Sequence, residues 1–388
     1  MEDKPNSEDH FSDKQQQVFC QIFNKVTKCS SRTQEWTTQV MQAILTRNES
    51  LLKSLSEQGL PDDMQQLRAL VWKINLKYLS LNYDDWDNEL KKKREEYQSY
   101  KESITQILEQ EFKEKTYRNR EVLGIITKDI NRTYLHFAFF LQPISKSIKM
   151  TQEQMDTLLK KRQDCDISKV EDVYRLNTIE THADVLGRIL FIYSYFNPDL
   201  SYNQGMNEIL APIYYCFAYD RLFLDESVEE IEADAFWTFV NIMKDIRSSF
   251  DHNHPKNTFF KADLLEKMLA IVDKELFDAL ADNGIKFEYF AYKWFILLFS
   301  QEFQFLDVLK LWDMMFSQDN KFVYVFYIAL AYLKYRKEEI VNGDMASIML
   351  LFQETQTVDV DELIPLAKEI KKVYASKLEH LFKQLDEE

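Results

Sequence analysis

The chain has 388 residues, 45% hydrophobic and 29% charged, with a formal net charge of −16 and a pI near 5.0. That surplus of carboxylates argues against nucleic-acid binding and against non-specific docking on anionic membranes, while leaving room for a local basic site for a phosphate-bearing partner. Six glycines and seven prolines against 28 phenylalanines and 20 tyrosines point to an almost wholly helical chain.

Residues 1–12 are polar and read as disordered. Lys14–Lys28 carries Val18, Phe19, Ile22, Phe23 and Val26 at helical spacing, and a weakly patterned helix pair occupies 34–57. Both read as an N-terminal extension, residues 1–57, that packs on the rest of the chain. Gly59-Leu60-Pro61-Asp62 is the first punctuation, and Leu67–Leu81 then reads as a strong helix. A second runs from about Asp84 to Glu114. Its Lys91-Lys92-Lys93-Arg94 run has acidic neighbours, so it reads as a solvated helix face.

Glu121–Thr133 forms a helix in which Ile125, Val122, Ile126, Ile130 and Leu123 share one arc at about 100° per residue. Asp129 falls inside that arc, and Arg132 lies just beyond its edge, one turn on. A carboxylate on a core-facing stripe is costly unless paired, so Asp129 should be tied to Arg132 or to nearby backbone. From spacing alone, a structural ion pair is the plainer reading.

Residues 150–182 are polar and read as a loop or insertion with short helices. Ala183–Phe196 and Met206–Tyr219 are apolar helices, the second kinked or shifted by Pro212. Between them, Asn197-Pro198-Asp199-Leu200-Ser201-Tyr202-Asn203-Gln204-Gly205 is a polar break. Gly205 suggests a backbone at positive φ or a close approach by another element, and the loop would hold Gln204 out as a working group. Helices are expected over Asp225–Asp251, Phe259–Asp282, Tyr289–Ser300, Val308–Phe316 and Phe322–Lys337. Asp251-His252-Asn253-His254 reads as a surface turn. Trp72, Trp294 and Trp312 read as core.

Cys20, Cys29, Cys165 and Cys216 show no ligand or paired spacing and read as free thiols of a reducing compartment. The first residues lack a charged-then-apolar signal layout. The longest apolar run, Phe322–Leu333, falls short of the ~20 residues that span a bilayer. A cytoplasmic protein is expected. The glycines, at 59, 124, 187, 205, 284 and 343, are too dispersed for either Gly-rich phosphate loop, and G-x-S-x-G and H-E-x-x-H are absent. What remains is an arginine on a helix edge and a glutamine on a shaped loop.

Ile126-x-x-Asp129-x-x-Arg132 followed by Tyr202-x-Gln204-Gly205-Met206-Asn207 resembles the paired signatures of TBC domains, the GTPase-activating domains for Rab small GTPases. Further blocks agree: Gly59-Leu-Pro with Arg68-x-x-Val71-Trp72-Lys73; Arg188-Ile-Leu-Phe-Ile-Tyr-x-x-Phe-Asn197-Pro198; Trp294 to Phe303; and Leu311-Trp312-Asp313-x-Met-Phe316. The resemblance spans about 58–340, with 341–388 as a helical segment packed on that domain. Gln204-Gly-Met-Asn-Glu-Ile and Glu232-Ala-Asp resemble the family's member-thirteen type. Ser201 departs from the glycine common before the tyrosine, and Ala69 from a glycine in the opening block.

The resemblance implies an all-α fold and a two-finger mechanism supplied in trans. Arg132 would neutralise charge on the γ-phosphoryl, and Gln204 would orient the attacking water. Asp129 and Ile126 would support the arginine, and Tyr202 and Gly205 would shape the loop. The partner would be a Rab-family GTPase in its GTP state, bringing its own Mg and GTP and recruiting the chain to endomembranes. This chain would hold no cofactor or metal. The alternative is a catalytically silent Rab-binding scaffold or effector of the same fold.

Overall fold

The computed structural model describes residues 29–62, 65–133, 137–145, 147–148, 150–164, 180–219, 227–355 and 357–386. The helix expected over 14–28 lies outside them. Among the described residues, helices are the only extended regular elements. Helices α1 (Ser31–Leu45) and α2 (Glu49–Glu57) start on side-chain caps. Ser30 accepts from the Thr33 amide at 3.2 Å and Asn48 from the Leu51 amide at 2.9 Å, which satisfies donors that a helix start leaves free.

Helix α3 (Gln65–Asn75) stops short of the predicted Leu81. Lys77 turns left-handed at φ 59°, and the Tyr78 and Leu79 amides both return to the Lys73 carbonyl at 2.9 Å, which closes the helix. A short 3-10 turn, Tyr83–Asp85, leads into α4 (Trp86–Glu114), and α5 (Arg120–Ile130) comes after it. Within the polar stretch after 150, α6 (Gln152–Gln163) opens on a Thr151/Gln154 capping box. The rest of that stretch, 165–179, is outside the described residues.

Helices α7 (His182–Phe196), α8 (Met206–Ala218) and α9 (Val228–Phe250) come next. The single helix expected over 259–282 is two, α10 (Thr258–Val272) and α11 (Lys274–Asp282). Asp273 breaks the path in an extended conformation, and its carboxylate caps the Leu276 amide at 3.1 Å. The remaining helices are α12 (Glu288–Leu297), α13 (Phe305–Phe316), α14 (Lys321–Tyr335), α15 (Lys337–Val341), α16 (Met345–Leu351) and α17 (Val360–Asp386).

Helix α8 is the axis. Every residue but Glu208 is buried, as an all-round apolar helix requires, and it runs through Pro212 unbroken. It packs against α3, α5, α7, α9, α12 and α13. The long α17 lies on α14 and α10, and α2 lies on α13. Trp72, Trp294 and Trp312 are all core, as expected. None of these helices is long and apolar enough to cross a membrane.

Asp313, Asp234 and Glu232 sit inside this apolar mass with no exposure at all, and each is paired with at least one cation. Asp313 (α13) accepts from Arg68 Nε at 3.0 Å, Trp72 Nε1 at 2.8 Å and the Leu60 amide at 2.9 Å. Asp234 (α9) accepts from Lys73 at 2.6 Å, Tyr78 at 2.5 Å and Arg94 at 2.7 Å. Glu232, two residues earlier, takes Arg188 in two bonds of 2.6 and 2.7 Å, with Tyr97 and Lys101 alongside. Such pairing offsets the cost of burying these charges. The 91–94 run is therefore not wholly a solvated face: Lys91 and Lys92 are exposed, but Arg94 reaches inward and Lys93 Nζ sits 3.8 Å from the Trp237 ring centre.

Candidate functional site: an arginine edge and a glutamine loop

The C-terminal end of α5 presents the first half of the site. Helix α5 packs on α7, and a Cβ at Gly187 would stand 3.9 Å from Ile130 and 4.0 Å from Ile126. That contact fixes which face is inward: Gly124, Ile126, Asp129 and Ile130 are buried, whereas Ile125, which the helical arc includes, is exposed. Asp129 is thus held in the interface at 7% exposure. Arg132 sits in the turn after the helix and points out, its side chain 58% exposed. It donates to the Lys128 carbonyl at 3.2 Å and to Asp129 Oδ1 at 3.3 Å. An ion pair so exposed contributes little to stability. What it does is aim the guanidinium.

The loop between α7 and α8 presents the second half. Two of its residues are left-handed: Ser201 at φ 54° and Gly205 at φ 103°. At Gly205 both reasons for a glycine hold, because a Cβ there would also meet Leu297 Cδ2 at 2.7 Å. Ser201 takes the same backbone region without being glycine. Ser201→Gly should therefore stabilise the protein by about 0.5–1 kcal/mol. A lower urea midpoint would show instead that the serine side chain holds the turn.

Side chains wire the loop to its surroundings. Asn197 donates to the Tyr193 carbonyl at 2.8 Å, Asn203 to the Leu200 carbonyl at 2.7 Å, and Arg247 pairs with Asp199. On this frame Gln204 is exposed, and among the described residues no hydrogen bond holds its amide.

One phenol joins the halves. Tyr202, buried to 8% exposure, donates to Asp129 Oδ2 at 2.8 Å, with Asn207 Oδ1 at 3.1 Å. With a single proton to give, it favours the charged and nearer acceptor. Burial, reinforced by the neighbouring Asp129 charge, pushes the phenol pKa far above its ordinary value, so Tyr202 remains a neutral donor. Asp129 therefore accepts from Arg132 on one oxygen and from the glutamine loop on the other. A second bridge runs beside it: Asn207 Nδ2 donates to Thr133 Oγ1 at 2.8 Å, and Thr133 Oγ1 donates to the Asp129 carbonyl at 2.8 Å.

All six residues singled out in the sequence have a place here: Arg132 and Gln204 at the surface, Asp129, Ile126, Tyr202 and Gly205 beneath. Thr133 and Asn207 were missed. The available signal was a polar residue flanking each motif and directed at a buried interface.

Removing the phenol oxygen tests the bridge. Tyr202→Phe should cost about 1.5–3 kcal/mol, because a buried carboxylate oxygen loses its donor. The measurement is urea unfolding of both forms; equal stability would mean that Asp129 finds another donor.

A sequence model of the Rab-GTPase-TBC domain matches residues 146–341. Tyr202, Gln204 and Gly205 lie within that span, and Asp129 and Arg132 precede it. Human TBC1 domain family member 13 is 31% identical over 376 residues, which cover 82% of this chain and 93% of that protein. Among solved structures, the Ypt/Rab-GAP domain of Gyp1p superposes with a TM-score of 0.63 at 19% identity, covering 91% of this chain and 97% of that one. The Chlamydomonas flagellar RabGAP TBC domain gives 0.54 at 16% identity, over 92% and 96% of the two chains. The two structures speak for the fold alone, whereas the sequence matches reach the family: this chain belongs to the Rab-GTPase-TBC domain family.

Proposed function

We propose that the chain accelerates GTP hydrolysis by a Rab-family GTPase, with Arg132 and Gln204 completing the partner's active site. The Asp129–Tyr202 bond carries this reading. It couples an outward arginine to an outward glutamine through a buried carboxylate, an arrangement that core packing does not call for.

In phosphoryl transfer the protein's work is positioning and charge stabilisation. Arg132 carries a permanent charge and a fork of donors suited to the γ-phosphoryl oxygens. Gln204 offers a donor and an acceptor together, which is what orienting a water requires. Asp129 aims the guanidinium and Tyr202 fixes the loop that carries Gln204 before the partner arrives, so that the ordering left to the encounter is mainly that of the glutamine side chain. Mg and GTP come with the partner in its GTP state, and the partner brings this cytoplasmic chain to an endomembrane surface.

The test is single-turnover GTP hydrolysis by a panel of Rab GTPases with the full chain added. At least one should be accelerated. If GTP-state Rabs bind and none is accelerated, the chain is a scaffold or effector and the catalytic reading fails.

A further inference from the structure

We propose that a cavity bounded by α9, α10, α12 and α14 binds a small phosphate-bearing anion, with Lys261 at its base as the counter-charge. The observation behind it is an ammonium with no anion. Lys261 on α10 is 9% exposed, and its Nζ donates to Ser249 Oγ at 2.5 Å and Ser248 Oγ at 3.1 Å. Among the described residues no carboxylate pairs with it. The buried charges of the neighbouring α9, Glu232 and Asp234, are matched to opposite charges, and this lysine is not. A buried charge without a partner is strongly disfavoured. Burial alone draws its pKa down to about 8.

The surroundings supply what an oxyanion needs. The cavity has a volume of about 390 Å³ and is lined by Lys261, both serines, Lys256 and Lys321. That volume falls within the range of small-ligand sites. Lys321 is the first residue of α14, with its side chain 12% exposed and its nearest carboxylate, Asp245, 3.9 Å away. The start of α14 borders the space, with Asn320 Oδ1 capping the Val323 amide at 3.2 Å. Lys256 is anchored to the Leu385 carbonyl at 2.9 Å. Of the two acids on the lining, Asp245 is pushed upward by burial, and Asp319 faces solvent and pairs with Lys53. Phe295, Leu298 and Phe326 form an apolar wall for the uncharged body of the ligand. Several lysines and two hydroxyls favour a multiply charged tetrahedral anion over a carboxylate. With the chain at −16 overall, such a site would act locally and not through general attraction.

Calorimetry on the full chain tests this with inorganic phosphate and inositol trisphosphate as probes. Co-flotation with phosphatidylcholine vesicles, with and without phosphatidylinositol bisphosphate, separates a free ligand from a lipid headgroup. The wild-type chain should bind inositol trisphosphate saturably. Lys261→Met, which keeps the length and removes the charge, should weaken binding about 10- to 100-fold. Ser249→Asp, which places an anion beside the lysine, should do the same. An unchanged circular dichroism spectrum and melting temperature certify that each variant is folded. Binding in solution without flotation identifies a soluble phosphate; flotation that needs the bisphosphate and Lys261 identifies the headgroup. No saturable binding by the wild type, or binding unchanged in both variants, overturns the proposal. None of these residues belongs to the Arg132–Gln204 site, so neither outcome bears on the Rab reading.

Discussion

Arg132→Ala should leave the chain folded and able to bind its GTPase while reducing the acceleration of GTP hydrolysis by about 10³-fold or more. Stability should hardly change, since the side chain is 58% exposed and its bond to Asp129 is long at 3.3 Å. Gln204→Ala should likewise leave stability intact, because its amide has no partner to lose among the described residues. Its loss should fall on the chemical step, by about 10²-fold or more, the scale set by removing one preorganised group. The double variant should lose little more than Arg132→Ala alone, since groups that act as a unit are not additive. Loss of affinity with the chemical step intact would instead mark both residues as binding contacts. Arg132→Lys separates charge from geometry: a lysine keeps the charge without the fork, so most of the activity should still be lost.

The second large effect concerns stability. Asp313→Ala should destabilise the fold by about 3–5 kcal/mol, the cost of removing the buried partner of a buried ion and leaving Arg68 only the half-exposed Asp62, 2.9 Å from its Nη2. Arg68 is itself fully buried, and the Trp72 indole and the Leu60 amide would lose their acceptor in the same step. The cluster joins residues about 250 positions apart, so its loss loosens the opening segment from α13. Urea unfolding gives the number. Pairing Asp313→Leu with Arg68→Met should recover much of it, because an apolar pair of similar volume avoids the uncompensated charge. If the double variant is no better than the single, the ion pair itself is what the fold needs.

Much of the fold and the site is legible from the residues. Scarce glycine and proline with long apolar periodicity indicate helices, and helices are found. Gly205 is open to two explanations, positive φ and close approach, and both apply, at φ 103° and with Leu297 against it. Asp129 on an apolar arc has to be paired, and it is.

What escapes depends on distance along the chain. The arc through α5 places Ile125 with the core because a helical wheel cannot show how wide the covering surface of α7 is. Arg94 belongs to a basic run along the chain, but in space it belongs to Asp234, 140 residues away. Arg68 and Trp72 lie in one block and Asp313 in another about 240 residues on, and the three turn out to be one cluster. Asp273 is easily passed over, because a capping aspartate inside an apolar stretch resembles an ordinary helix residue until its neighbour Lys337 is seen, 64 residues on.

The central claim is that Gln204 orients the water in trans. The most direct measurement uses a GTPase whose own water-orienting glutamine has been replaced. Single-turnover hydrolysis by that variant should still be accelerated by the wild-type chain, and the acceleration should vanish with Gln204→Ala. If replacing the GTPase's glutamine abolishes acceleration while Gln204→Ala leaves it unchanged, the water is oriented by the partner alone and the two-finger account is wrong.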